Sequence, residues 1–192
     1  MYRAYTVTVP NADLPVSLDR AKDHLNMDDL AHADERIVTW IKSAAANVER
    51  QYGMALLTQT VKEYWSAFPA KSTDGMMLRI QPIQSITSVE YIDTDGLTQT
   101  WDADLWAYGG YNGATFIAPI PGELWPSTWA TPNAVTVTYE AGWGDAESDV
   151  PGDIQQAILY MVADYDQKRE DSPQTFNRAS ENLLRPYYRW AA

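Results

Sequence analysis

The chain has no cysteine. That excludes a disulfide framework, a thiol nucleophile and zinc sites built on thiolates, and it fits synthesis in a reducing cytoplasm. No apolar run approaches the roughly 20 residues that span a bilayer. The N-terminus "MYRAYTVTVPNADLP" lacks the basic start and apolar stretch of a signal peptide, so a soluble intracellular product without membrane partners is expected. Histidine is scarce as well. His24 and His32 are the only two, no G-x-S-x-G stretch accompanies them, and both read as surface or helix-end residues rather than members of a triad. The glycines of "YGGYNGA" come without the lysine of a phosphate-binding loop. No cofactor site is expected.

Basic residues are missing from a long stretch. Between Arg79 and Lys168 there is no Lys or Arg, while the same stretch holds thirteen acids, among them Asp145, Glu147, Asp149 and Asp153. The whole chain carries 14 basic and 26 acidic residues, a net charge of −12. Affinity for nucleic acid comes largely from Lys and Arg neutralising phosphates, so this stretch repels DNA rather than gripping it. The last residues reverse the sign, with Arg178, Arg185 and Arg189 against Glu181 alone.

What is present suffices for a sizeable core, since 45% of the 192 residues are hydrophobic. Residues 1–16 read as an extended arm, with "YTVTV" alternating ahead of Pro10 and Pro15. Ser17 is a good N-cap for a short helix, and Asp34 for a longer one in which Ile37, Trp40, Ile41, Ala44, Ala45, Val48 and Tyr52 form an apolar stripe stopped by Gly53. From Leu56 the period changes to two, in "LLTQTVKEYWSAF", "MMLRI", "ITSVEYIDTDGLTQTWD", "ATFIA" and "AVTVTYEAG". Helical periodicity returns at Pro151 with Ile154, Ala157, Ile158, Met161, Val162 and Tyr165 on one face, to an expected end near Asp171. A short helix, "NRASENLL", precedes Pro186.

Helices and strands are segregated, which predicts an α+β fold: a helical core of long packed helices with an inserted antiparallel β-rich block and an extended C-terminal tail. The expected organisation is an arm (1–16), a helical core (17–55 and 150–171), a β-rich insertion (56–149) and a C-terminal docking tail (172–192).

Two acidic stretches invite a chemical reading. "DTDG" at Asp93 to Gly96 is the nearest approach to a calcium loop, but the sixth and twelfth positions from Asp93 are Thr98 and Asp104 instead of Gly and Glu. Alternating flanks make it a hairpin turn. The acids of "GDAESDVPGD" raise the possibility of a glycosidase pair, and eight Trp with twelve Tyr that of sugar-stacking platforms in a carbohydrate-binding module. The favoured reading places Asp149 and Asp153 near a helix N-terminus, where each is stabilised by about 0.3–1 kcal/mol, beside a solvated loop. The aromatics are then expected at protein–protein contacts. The tail "LLRPYYRWAA" has the anchor composition of such contacts, with Arg beside Tyr and Trp; the other reading open to it is a helix folded back onto its own domain.

The order "VSLDRAKDHLNMD", "DERIVTWIKSAAANVERQYGMALLTQTVKEYW", "LRIQPIQSITSVEYIDTDGLTQTW", "VTVTYEAGWG", "VPGDIQQAILYMVADYDQKRE" resembles the head–tail connector, or adaptor, proteins of tailed bacteriophages, over residues 16–170. The resemblance implies a non-enzymatic virion protein at the head–tail junction, made in the host bacterial cytoplasm. It implies a ring of about twelve copies below the portal, closed by head-to-tail contacts, through which DNA passes without tight binding. Its implied partners are other copies, the portal protein, and a downstream stopper or tail protein. Arg178, Leu184, Arg185, Tyr187, Tyr188, Arg189 and Trp190 would then dock on the portal, and Asp145, Glu147, Asp149 and Asp153 would line the lumen or face a neighbouring subunit. The rival classes are the carbohydrate-binding module or glycosidase, and another neck component such as a stopper or tail-completion protein. Long helices at both ends argue against the latter, which is expected to be mostly β.

Overall fold

The computed structural model describes residues 3–9, 11–27, 33–111, 113–167 and 178–188. Among these residues eight strands form, in the order β1 (Arg3–Val9), β2 (Gln59–Trp65), β3 (Met76–Met77), β4 (Ile83–Ile92), β5 (Thr98–Thr100), β6 (Trp106–Tyr111), β7 (Ala114–Pro119) and β8 (Val135–Ala141). The helices are α1 (Leu18–Leu25), α2 (Asp34–Tyr52), α3 (Gly152–Gln167) and α4 (Arg178–Leu184). The chain divides into two units. One contains β1 and Thr58–Gly142; the other contains Asn11–Leu57 and the chain from Trp143 onward.

In the β unit, alternation sends Val61, Glu63 and Trp65 of β2 and Val135, Val137 and Tyr139 of β8 inward. These strands lie in an antiparallel sheet of order β1-β2-β8-β4-β5, with Val61 opposite Tyr139 and Glu63 opposite Val137. The extended N-terminal stretch is thus a paired edge strand, Tyr5 lying opposite Glu63. Turn residues Asp93 to Gly96 join β4 to β5. There the Asp93 carboxylate accepts from the backbone N–H of Asp95 and Leu97 and from Gln99 Nε2. These bonds, with Gln99 the main contributor, hold its pKa below the usual carboxylate value. A second sheet has the order β3-β7-β6.

Glu63 is wholly buried on an otherwise apolar face. Its carboxyl accepts from Arg79 N (2.9 Å) and from the Tyr139 hydroxyl (3.0 Å), while that hydroxyl accepts from Ile80 N (3.2 Å). Gln81 continues the network, donating to the Leu78 carbonyl and accepting from Thr115 Oγ1. A buried polar group is tolerated when its hydrogen bonds are made, and here those bonds pin residues 78–81.

The helical unit corrects one expectation. Its core is not a set of long helices: α2 and α3 have 19 and 16 residues, but α1 and α4 have only 8 and 7. Ile37, Ile41, Ala44, Ala45, Val48 and Tyr52 of α2 are buried together with Ile154, Ala157, Ile158, Met161 and Val162 of α3. Trp40 is only partly buried; the Arg36 guanidinium sits 5.0 Å from its ring centre, which satisfies its outer face. Asp34 begins α2 inside the first turn, with Ala33 rather than Asp34 at the cap. Ser17 does cap α1 in position, but its side chain makes no capping bond. Gly53 ends α2 in the left-handed region at φ 62°, where a side chain would be strained.

Candidate interaction surfaces

The acidic turn ahead of α3 is built by bonds within the helical unit. Asp149 Oδ2 accepts from Ala146 N (3.0 Å), closing a 3₁₀ turn over Glu147–Asp149. Gly144 permits this, since a Cβ there would come within 2.3 Å of the Asp149 carboxylate. Glu147 pairs with Arg20 of α1 at 3.3 Å. Arg20 also donates to Gln155 Oε1, and the Gln155 amide donates to the Glu147 carbonyl. Asp153 accepts from the Tyr187 hydroxyl at 2.8 and 2.9 Å. Three of the four acids expected at a lumen or subunit interface therefore have partners in their own unit. Asp145 is exposed.

The C-terminal segment divides in the same way. Leu184 is 0% exposed in the helical core, Ser180 is buried, and α4 packs on α3. Tyr187 is half-buried, edge-on to Trp143 (6.0 Å, 89°), and Tyr188 stands edge-on to Tyr52 (6.2 Å, 88°). Arg178, Arg185 and Tyr188 are exposed. Of the residues expected to dock on a partner, these three are accessible. Leu184 is not, because its side chain fills the core instead. Arg189 and Trp190 lie outside the described residues, as do His32 and the expected end of α3 near Asp171. Over residues 178–188 the segment read as a docking tail is folded back onto its own unit.

Burial, then the hydrogen bond to Asp153 and its charge, push the Tyr187 hydroxyl up to about 12 from 10.0. A phenol whose folded pKa is raised contributes stability that is fully present below its unfolded value and is lost as pH rises through the folded one. The helical unit is thus expected to lose stability between pH 10 and about 12. Denaturation midpoints across that window should fall less steeply in Tyr187→Phe; parallel curves for variant and parent would refute the linkage.

The aromatics of the β unit mostly meet one another. Trp125 stacks on Phe68 (5.0 Å, 22°), Trp101 lies 5.5 Å from Phe68 and 5.2 Å from Trp125, and Trp106 follows at 6.4 Å. Trp101 is only 5% exposed. Phe68 is buried with it, while Trp106 and Trp125 are half-buried, so much of the cluster's ring area is spent on its own packing. Tyr108, Phe116, Leu124 and Trp129 do remain exposed. His24 rests half-buried, its ring 5.9 Å from that of Tyr160. Among the described residues no three His, Asp or Glu gather so as to hold a metal ion, and no helix is long and apolar enough to cross a membrane.

The chain is similar to a chain of the virion of the native gene transfer agent (GTA) particle, with TM-score 0.81, 21% identity, and coverage of 100% of this chain and 97% of that one. A chain from the neck of the empty GTA particle, computed with C6 symmetry, gives the same values. One from the neck of the native particle, computed with C12 symmetry, gives TM-score 0.74 and 22% identity at the same coverage. These likenesses establish a shared fold. A search of curated proteins returned no match. The family described as head completion protein matches residues 16–182, most of both units. Helices at both ends therefore do not by themselves mark an adaptor, because a family described as head completion protein contains this α+β arrangement. The chain belongs to the head completion protein family.

Proposed function

We propose that the chain is a structural subunit of the neck of a tailed phage or phage-like particle, forming a closed ring at the head–tail junction. The observation that carries this reading is the family match over residues 16–182. The fold shared with chains of GTA necks computed with C6 and C12 symmetry supports a ring of identical copies. The reading assigns no catalysis. DNA passes through the ring without being held: residues 80–167 carry no Lys or Arg, and the net charge is −12. Asp145, exposed on its turn, faces either the lumen or a neighbouring subunit.

Within that role the finer reading is an adaptor, docked on the portal through the exposed Arg178, Arg185 and Tyr188 and contacting a stopper or tail protein below. The family's description favours a second reading, in which the ring completes the filled head. Particles made without the chain are expected to accumulate as heads lacking tails, and the purified chain is expected not to shift duplex DNA at physiological salt. Fully tailed particles in its absence would overturn the neck assignment. Purified chain binding to portal rings, weakened by Arg185→Ala with Tyr188→Ala, would distinguish the adaptor from the completion reading.

A further inference from the structure

Hairpin β6–β7 lies in a run without charge. From Leu105 to Gly122 there is no Asp, Glu, Lys or Arg, in a chain of net charge −12. The run is nonetheless on the surface: Tyr108 is 47% and Phe116 36% exposed, and Ala107, Gly109 and Gly110 are exposed with them. Strand β6 is also a sheet edge, paired with β7 alone among the described residues.

The direction of its backbone groups follows from the register. Ile120 N donates to the Leu105 carbonyl, and on the far side of β7 the Thr115 carbonyl accepts from Leu78 N. The N–H and C=O of one residue point to the same side of a strand, and successive residues alternate. Ala107, Gly109 and Tyr111 therefore bond to their opposites Ala118, Phe116 and Ala114, while Trp106, Tyr108 and Gly110 turn their backbone groups away from β7. Edges of this kind are ordinarily guarded by charges, proline or bulges. This one has none of the three.

We propose that the open edge of β6 pairs with strand β1 of a second copy of this chain. The inference rests on the ring reading above and names the contact that would propagate it. Strand β1, with seven residues, is the other sheet edge of comparable length; the edges β5 and β3 have three and two. Neither "RAYTVTV" nor "WAYGGY" holds a carboxylate, so two strongly acidic copies can approach there without opposing charges. Pairing β6 with β6 would stop at two copies. Pairing β6 with β1 leaves a free β1 and a free β6 at the ends of each assembly, the head-to-tail arrangement that closes into rings.

Because the chain has no native cysteine, introduced pairs report the contact without background. Full-length Thr6→Cys/Gly109→Cys, oxidised where the parent self-associates or assembles on portal rings, is expected to give a ladder of covalent multimers. Either single variant should give far less product. A dimer from Gly109→Cys alone, as abundant as the double variant's products, would indicate β6–β6 pairing and overturn the proposal; so would absence of a ladder. Gly110→Pro removes only an outward N–H, and is expected to weaken association by about tenfold or more. Should that variant melt early, Gly109→Glu replaces it, since a Cβ at 109 meets nothing within 4 Å. If parent and both edge variants associate equally, the β6 contact is wrong and the ring reading survives. If the parent never associates, alone or with a portal, the ring reading falls as well.

Discussion

Removing residues 178–192 is expected to lower the stability of the helical unit markedly, rather than to detach an appendage from an intact domain. Leu184 is fully buried among the side chains of that core, and Tyr187 holds Asp153 at the start of α3. Leu184→Ala alone should cost about 2–5 kcal/mol, through lost transfer energy and the cavity left behind. The exposed neighbours Arg185 and Tyr188 should behave differently, Arg185→Ala in particular shifting stability by only about 0.5 kcal/mol or less. Urea denaturation followed by helical circular dichroism separates the two groups. A truncated chain with an unchanged midpoint would mean that α4 contributes nothing to its own unit. It follows that portal docking is properly tested with point variants at the exposed positions, because truncation would confound loss of contact with loss of fold.

Ile158→Ala is expected to have an effect of the same order, about 2–5 kcal/mol. Helix α3 packs against α1, α2 and α4, and Ile158 is fully buried in the cluster that includes Ile37, Ile41 and Met161. Alanines at 44, 45 and 157 leave little bulk with which the surroundings could fill a void. A denaturation midpoint unchanged from the parent would sink the α2–α3 pairing as the centre of this core.

That pairing was readable from spacing, because an apolar residue every third or fourth position has one use on a helix of this length. Gly53 and the Asp93 turn were readable for a similar reason: each is decided by its immediate neighbours. What escaped the sequence depends on distant partners. Nothing near Glu147 announces Arg20, 127 positions earlier, nor does anything near Asp153 point to Tyr187. The turn accordingly read as four solvated or interfacial acids. Leu184 misled through its company, since a leucine amid Arg, Tyr and Trp suits an interface as well as a core. Strand β6 was hidden by Gly109 and Gly110, which weaken any strand pattern, although the Asn112-Gly113 pair between two apolar runs is a hairpin signal. The Trp and Tyr content suggested outside partners because composition does not reveal that rings 24 or 57 positions apart, Trp101 with Trp125 and Phe68 with Trp125, pack against each other.

The division of the helical unit between the two ends of the chain has a consequence in time. At a synthesis rate of about 5–20 residues per second, α2 is complete roughly 5–20 seconds before Ile158 is made. For most of that interval the ribosome is producing the β unit, and the stripe from Ile37 to Tyr52 has only the short α1 beside it and still lacks α3. Nascent chains of this protein thus carry a partly covered apolar helix for about half of their synthesis. It is the natural binding point for a chaperone, and crowded chains on one messenger would first stick to one another there.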